Sequence, residues 1–238
     1  MRTTQLIGFS EALIEAQRCL GCFDAPCSQA CPAKVNIPGF IRRLAEDNLA
    51  GAGDLLYSSC PLAATCGLAC PTLDLCEGAC TLSKMGQTPV RIGSLQTYVA
   101  SQYIQPEVVG VLDNPSKVAV IGGGPSGLGC AVQMRRFGHV VEIFDRGVLL
   151  GGLVDRVIPH HRLPHELIDF DLGRILDSGI YVHLDQEINE ASVAELLESY
   201  DTVFVRTDLS NTRALTVPGI DSDDVHSALD YLDVARQS

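Results

Sequence analysis

Nine of the ten cysteines in this chain fall between Cys19 and Cys80, in two runs that each carry a Cys-Pro pair: CLGCFDAPCSQACP and CPLAATCGLACPTLDLCEGAC. A short segment so rich in thiols folds around whatever its sulfurs bond to, so the chemistry of those sulfurs constrains everything else. Disulfides need an oxidising compartment, and the N-terminus MRTTQLIGFSEALIEAQRC has neither the apolar core nor the small-residue cleavage site of a secretory signal. Structural zinc favours paired C-x2-C knuckles at matched spacing. Only Cys19 and Cys22 make one here, and no histidine precedes His139. The first run reads C-x2-C-x4-C-x3-C-P, a stretched form of the iron-sulfur run C-x2-C-x2-C-x3-C-P, whose fourth cysteine serves a second cluster. Two cubane clusters take about eight ligands, which nine thiols can supply.

Charge and hydropathy narrow the setting. Net charge is −12 and the pI is near 4.8, so nucleic acid and anionic membrane surfaces would repel the chain. No uninterrupted apolar stretch approaches the roughly 20 residues that span a bilayer. The expectation is a cytoplasmic protein of one large or two small domains, with no membrane insertion and no nucleic-acid partner.

The pattern changes near residue 110. Before it, short helical patterns surround the cysteines: SEALIEAQR from Ser10, NIPGFIRRLAEDN with Asn36 as N-cap and Pro38 in the first turn, AGDLLYSS, and IGSLQTYVASQYI after the last cysteine of the second run. QPEVVGVLDNPSK, with prolines at 106 and 115, reads as a linker. This gives two domains, residues 1–110 and 111–238. Lys117 to Ile121 is then a buried parallel strand, followed by GGGPSG, a helix ending at Gly138, and a second strand, HVVEIFD, ending in Asp145. This is G-x-G-x-x-G in the strand, turn and helix context it requires. Gly122 permits the tight turn, Gly124 admits a pyrophosphate and Gly127 lets helix and strand pack closely; Asp145 can hydrogen-bond a ribose. The motif does not separate FAD from NAD(P). HELIDFDLGRILDSG reads as an amphipathic helix, IYVHL as a strand and the tail HSALDYLDVARQS as helical.

The segments CLGCFDAPCSQACPAKVNIPGFIRRL, CGLACPTLDLCEGAC, IGSLQ, VAVIGGGPSG and GG-x6-P-x2-RLP occur in that order. Together they resemble the iron-sulfur flavoprotein family of the glutamate synthase small subunit and the dihydropyrimidine dehydrogenases, and more closely the flavin subunit of the NAD-dependent dihydropyrimidine dehydrogenases. The resemblance runs from residue 10 to about residue 220. It implies a helical domain holding two 4Fe-4S clusters, followed by part of a doubly wound, Rossmann-like FAD-binding domain. By position, Cys19, Cys22, Cys27 and Cys80 hold one cluster. Cys31, Cys70, Cys76 and the amide oxygen of Gln96 hold the other. Cys60 and Cys66 are left over, and from counting alone either can replace Gln96 as eighth ligand. The implied dinucleotide set is Gly122, Gly124, Pro125, Ser126, Gly127, Asp145, Arg146, Gly152 and Arg162. Cys130, within the glycine-turn helix, reads as core filler.

Two departures from the family qualify that picture. The family inserts an NAD(P)H-binding Rossmann domain and then returns to the flavin; this chain has no second glycine motif before Ser238, so the expectation is a short form. In YDTVFVRTDLSNTRALTVPG, Arg206 and Asp208 stand where the family has alanine and glycine, and their side chains would crowd the nucleotide or contact its phosphates. His160, His161 and His165 lack carboxylates or cysteines at ligand spacing and read as a polar loop before a helix. The resulting expectation is an electron-transfer subunit of a hetero-oligomeric oxidoreductase, relaying electrons between the clusters and FAD or an NAD(P)H-linked, ferredoxin-linked or catalytic partner. No acid, base or nucleophile forms a catalytic constellation. The alternatives are a flavin-free, cluster-bearing adaptor and one half of a split NAD(P)H dehydrogenase.

Overall fold

Among the described residues, seven helices precede the first strand, and four parallel strands with further helices follow. The computed structural model describes residues 4–207, 215–222 and 224–237. It divides into two units, Met1–Glu107 with Glu166–Arg174, and Val108–His165 with Ile175–Ser238.

The first unit is helical: α1 (Phe9–Ala16), α2 (Pro26–Ala30), α3 (Ile37–Ala45), α4 (Leu49–Ser59), α5 (Ala63–Ala69), α6 (Thr81–Lys84) and α7 (Ile92–Gln102). Helix α3 starts where the sequence places it: the Asn36 side chain accepts from Gly39 N at 3.1 Å and Pro38 sits in the first turn. Its buried residues Ile37, Phe40, Ile41 and Leu44 follow the i, i+3, i+4, i+7 rule and face the core. Asn48 caps α4 in the same way through Gly51 N, at 2.8 Å. Helix α7 is buried on nearly every side, from Ile92 through Thr97 and again at Val99 and Ala100. It packs on α5 with the backbones almost touching. A Cβ added at Gly67 would lie 2.5 Å from Thr97 Oγ1, and one at Gly93 would lie 2.6 Å from the Gly67 carbonyl. Only residues without side chains permit that approach.

The second unit is built on β1 (Lys117–Ile121), which leads through a glycine turn into α8 (Pro125–Arg136) and β2 (Val140–Phe144). Next come α9 (Leu153–Val157), α10 (His165–Asp177), β3 (Tyr181–His183), α11 (Glu190–Ser199), β4 (Thr202–Val205) and α12 (Ala228–Gln237). The stretch Glu166–Arg174 of α10 groups with the first unit. All strand pairs are parallel, in the order β3-β2-β1-β4, with Val118 opposite Val141 on one side and Thr202 on the other. Chain order reverses beside β1, which makes the carboxyl ends of β1 and β4 the switch point at which α/β sheets take ligands. The fold is therefore a helical layer followed by a doubly wound α/β unit. Among the described residues no helix is long and apolar enough to cross a membrane.

Candidate cluster and dinucleotide sites

Cys19, Cys22, Cys27 and Cys80 line one pocket, together with Leu20, Pro26, Ile37, Ile41, Leu82, Val90 and Ile92. Local structure delivers each sulfur. Cys19 and Cys22 lie in the loop after α1, where Gly21 has φ +59°. Cys27 is carried by α2, whose first residue is Pro26. Cys80 immediately precedes α6 and comes from the second run, 53 residues after Cys27. Buried Glu15 holds the surround together, accepting from Arg18 Nη1 at 2.5 Å and from Arg91 N at 2.9 Å; the Arg18 guanidinium also donates to the Thr88 and Pro89 carbonyls. Thr81 places its hydroxyl 3.2 Å from Cys22 Sγ, a hydrogen bond to sulfur of the kind that tunes a cluster. Burial raises the Cys19 thiol, and burial with the nearby Cys19 and Cys80 thiols takes Cys27 up to about 11. Such thiols stay protonated until a cation arrives, so metal binding here is coupled to proton release. Among the described residues no three His, Cys, Asp or Glu side chains are gathered so as to hold a single metal ion. Four cysteines lining one aliphatic pocket supply the thiolate donor set that a cluster takes. The residues fit a cluster.

The other thiols form a second group. Cys66, on α5, interacts with Cys60 and Cys70 and has Cys31 nearby; Cys76 neighbours Cys70 and Cys31. The contact with Cys60, and then burial, takes Cys66 up to about 12, while Cys70 is raised by its contact with Cys66 and Cys76 by burial. Glu77 is also buried, its carboxyl raised by burial, and its Oε1 accepts from Gly93 N at 2.9 Å, tying the segment after Cys76 to the start of α7. Gln96 projects from α7 and is buried, and its Nε2 donates to the Ala63 carbonyl at 2.9 Å. That bond fixes the orientation of the amide, with Oε1 at its other end. Five thiols, those of Cys31, Cys60, Cys66, Cys70 and Cys76, thus gather in the region that the sequence assigns to Cys31, Cys70, Cys76 and Gln96. Cys130 lies elsewhere, half-buried on α8, with its thiol raised by burial.

At the carboxyl end of the sheet, Ile121, Gly122, Gly124, Phe144, Asp145, Arg146, Gly152, Arg156, Arg206 and Thr207 line a cleft with Gly147, Leu149, Leu153 and Gln186–Ile188. Gly122 has φ +107°, and an added Cβ there would meet the Arg206 carbonyl at 2.0 Å. At Gly127 an added Cβ would meet the Gly122 carbonyl at 1.8 Å. Both glycines are therefore required by close backbone approach, and the turn hands its N–H groups to the start of α8, where Pro125 is the first helical residue and Ser126 is exposed. Asp145 points into the turn: Oδ2 accepts from Gly123 N at 2.5 Å and Oδ1 from Gly147 N at 2.6 Å. A carboxylate has about four acceptor positions, so capacity remains for a ribose hydroxyl. The cradle fits a dinucleotide.

Of the sequence-derived set, Pro125, Ser126 and Gly127 lie at the start of α8 rather than among the cleft-lining residues, and Arg162 lies on another segment. It is exposed in the turn after α9, donates its N–H to the Pro159 carbonyl, and is not among the cleft-lining residues. Arg206 does line the cleft and is exposed, while Asp208 lies outside the described residues. Arg156 was not singled out by sequence; it lines the cleft and pairs with Asp233 of α12. His160 Nε2 bonds the Arg236 carbonyl of α12 at 2.9 Å, and His165 Nδ1 lies 3.3 Å from Asp155 Oδ1 of α9.

The two sites define an iron-sulfur protein with a Rossmann-like dinucleotide fold. Residues 2–108 match the family model of dihydropyrimidine dehydrogenase domain II, 4Fe-4S cluster, and residues 120–175 match that of an NAD(P)-binding Rossmann-like domain. These matches make the chain similar to the dihydropyrimidine dehydrogenase iron-sulfur proteins. It is 35% identical over 235 residues to the NAD-dependent dihydropyrimidine dehydrogenase subunit PreT of Escherichia coli (strain K12), covering 95% of this chain and 55% of that protein. The PreT subunit of Salmonella typhimurium is 34% identical over the same coverage. The chain thus spans about half the length of the curated relatives it matches. Among solved structures, a 2-naphthoyl-CoA reductase bound to 2-naphthoyl-CoA aligns with 86% of this chain and 28% of its own, at 19% identity and a TM-score of 0.45.

Proposed function

We propose that the chain is the electron-relay part of a dihydropyrimidine dehydrogenase-type oxidoreductase, holding two 4Fe-4S clusters and an FAD. The observation that carries this reading is the convergence of Cys19, Cys22 and Cys27 with Cys80, from the other run, on one aliphatic pocket. In this reading those four residues hold the first cluster. Cys31, Cys70, Cys76 and Gln96 hold the second, with Cys66 and Cys60 packed beside it. The glycine turn, Asp145, Arg146 and Gly152 bind the dinucleotide, and Arg156 and Arg206 offer positive charge to its phosphates. When bound, the clusters carry single electrons and the flavin exchanges pairs. The protein's own part is to bury the cysteine thiolates among aliphatic side chains, to place a hydroxyl on Cys22 and to bring the glycine-turn amides to the pyrophosphate. A partner redox subunit supplies or accepts the hydride, and the setting is cytoplasmic.

The test is iron, sulfide and flavin content after anaerobic purification with partner subunits. About eight irons and one FAD per chain support the relay. About eight irons without flavin support the adaptor reading instead. Iron well below four per chain refutes both.

A further inference from the structure

Helix α5, which carries Cys66 and ends at Cys70, has no capping side chain of its own; its N-cap residue is Leu62. The cap comes from Asp171, 106 residues beyond Thr65. Asp171 is fully buried in the first unit. Its Oδ2 accepts from Thr65 N at 2.8 Å, and its Oδ1 accepts from Ala64 N at 3.3 Å and from the Tyr57 hydroxyl at 2.8 Å. A carboxylate at a helix N-terminus is stabilised by the unpaired N–H groups and the helix dipole. The first residue of the same helix, Ala63, gives its carbonyl to Gln96 Nε2. One buried carboxylate thus fixes the helix that sets the Cys66 and Cys70 thiols and orients the Gln96 amide. The Arg174 guanidinium lies over the Tyr57 ring at 4.1 Å and the Tyr103 ring at 4.7 Å, and donates to the Gln105 carbonyl. Burial raises the Asp171 carboxyl, and the two amides and the hydroxyl act against that shift.

We propose that Asp171 is a positioning residue for the second cluster: it locks α5 in place, and its buried negative charge holds that cluster's reduction potential down. This rests on the reading that Cys31, Cys70 and Cys76 hold a cluster. Net charge and burial are among the levers that set such potentials, and a charge in a weakly screening interior acts at longer range than one in water.

Asp171→Asn separates the two roles. The asparagine oxygen can accept from Thr65 N while its NH2 donates to a rotated Tyr57 hydroxyl, so the stronger cap bond survives and the charge is lost. The experiment is a mediated redox titration, followed by electron paramagnetic resonance, of the full chain loaded anaerobically. For D171N the expected result is wild-type iron content and a positive shift of one cluster signal, with the other unmoved. Asp171→Ala, which removes the cap as well, is expected to lose iron from that same cluster. Unchanged potentials in fully loaded D171N, or an equal shift of both signals, overturn the proposal. If D171N fails to load the second cluster, Tyr57→Phe tests the same charge by stripping a hydrogen bond from the carboxylate. A shift confined to that signal then supports the proposal and an unmoved signal overturns it. If the wild-type chain itself holds about four irons, the second-cluster reading fails and this proposal falls with it.

Discussion

Gly127 and Gly129 lie two residues apart on α8, and replacing each with alanine should give opposite results. A Cβ at Gly127 would stand 1.8 Å from the Gly122 carbonyl, where real Cβ atoms essentially never come within 3.0 Å, so one backbone segment must move by more than about 1 Å. A Cβ at Gly129 meets nothing within 4 Å. Overpacking of this kind costs about 1–3 kcal/mol, whereas Gly to Ala inside a helix gains about 0.5–1 kcal/mol. In a chain of this size each kcal/mol moves Tm by about 2–4 °C. Thermal unfolding should therefore drop by several degrees for Gly127→Ala and rise slightly for Gly129→Ala. Relieving the clash opens the turn and draws its N–H groups off the phosphates. Each charge-assisted bond lost is worth about 1.5–3 kcal/mol, or about ten- to a hundredfold in affinity. FAD and NADH binding followed by fluorescence should show that loss for Gly127→Ala alone. Equal Tm and equal affinity in the two variants would refute the assignment of the turn as a close-packed phosphate cradle.

Cys27→Ser should lose about four irons per chain while Cys130→Ser loses none, as iron and sulfide assay will show. Asp145→Asn can satisfy only one of Gly123 N and Gly147 N, so dinucleotide affinity should fall roughly tenfold, the value of one charge-assisted bond, by fluorescence titration. Gly67→Ala forces a Cβ to 2.5 Å from Thr97 Oγ1 and 2.8 Å from Thr97 N. It should separate α5 from α7 and reduce iron loading of the second cluster while the first stays filled, read by iron content and electron paramagnetic resonance. Chelating the iron should unfold α2 and α6, read as a loss of circular dichroism and of amide-exchange protection.

Local grammar made much of this fold legible. Asn36 with Pro38 starts α3 as its capping chemistry requires, and the strand, GGGPSG turn, helix, strand and terminal Asp145 appear with the strand pairing that the motif implies. Features that depend on long-range approach were hidden. Asp171 reads in sequence as one more polar position on an amphipathic helix; only the fold shows it capping α5, because a cap supplied from 106 residues away leaves no local signature. Glu77 likewise looks like a surface acid between cysteines until its bond to Gly93 N is seen. Arg156 could have been suspected from its place four residues after Gly152, but nothing local says that it faces the cleft or meets Asp233. The leftover thiols were countable, yet their meeting around Cys66 follows from α5 lying where it does.

The crossing of the two cysteine runs explains how so irregular a segment can hold a shape. Helices α2 and α6 have five and four residues, far below the length at which an isolated helix persists in water, about 12–15 residues. Neither buries much by itself: Cys27 is the buried residue of α2 and Leu82 that of α6. What joins them is the shared pocket, with three sulfurs from one run and Cys80 from the other. With the Cys19 and Cys27 thiols raised by burial, the metal-free pocket repays none of the chain entropy lost in gathering its sulfurs. Metal binding then supplies folding free energy directly. The long helices α3, α4 and α7 have an aliphatic core of their own around Phe40, Leu56 and Leu95. Iron loss should therefore melt the cysteine-bearing loops and their short helices first and leave that three-helix core standing.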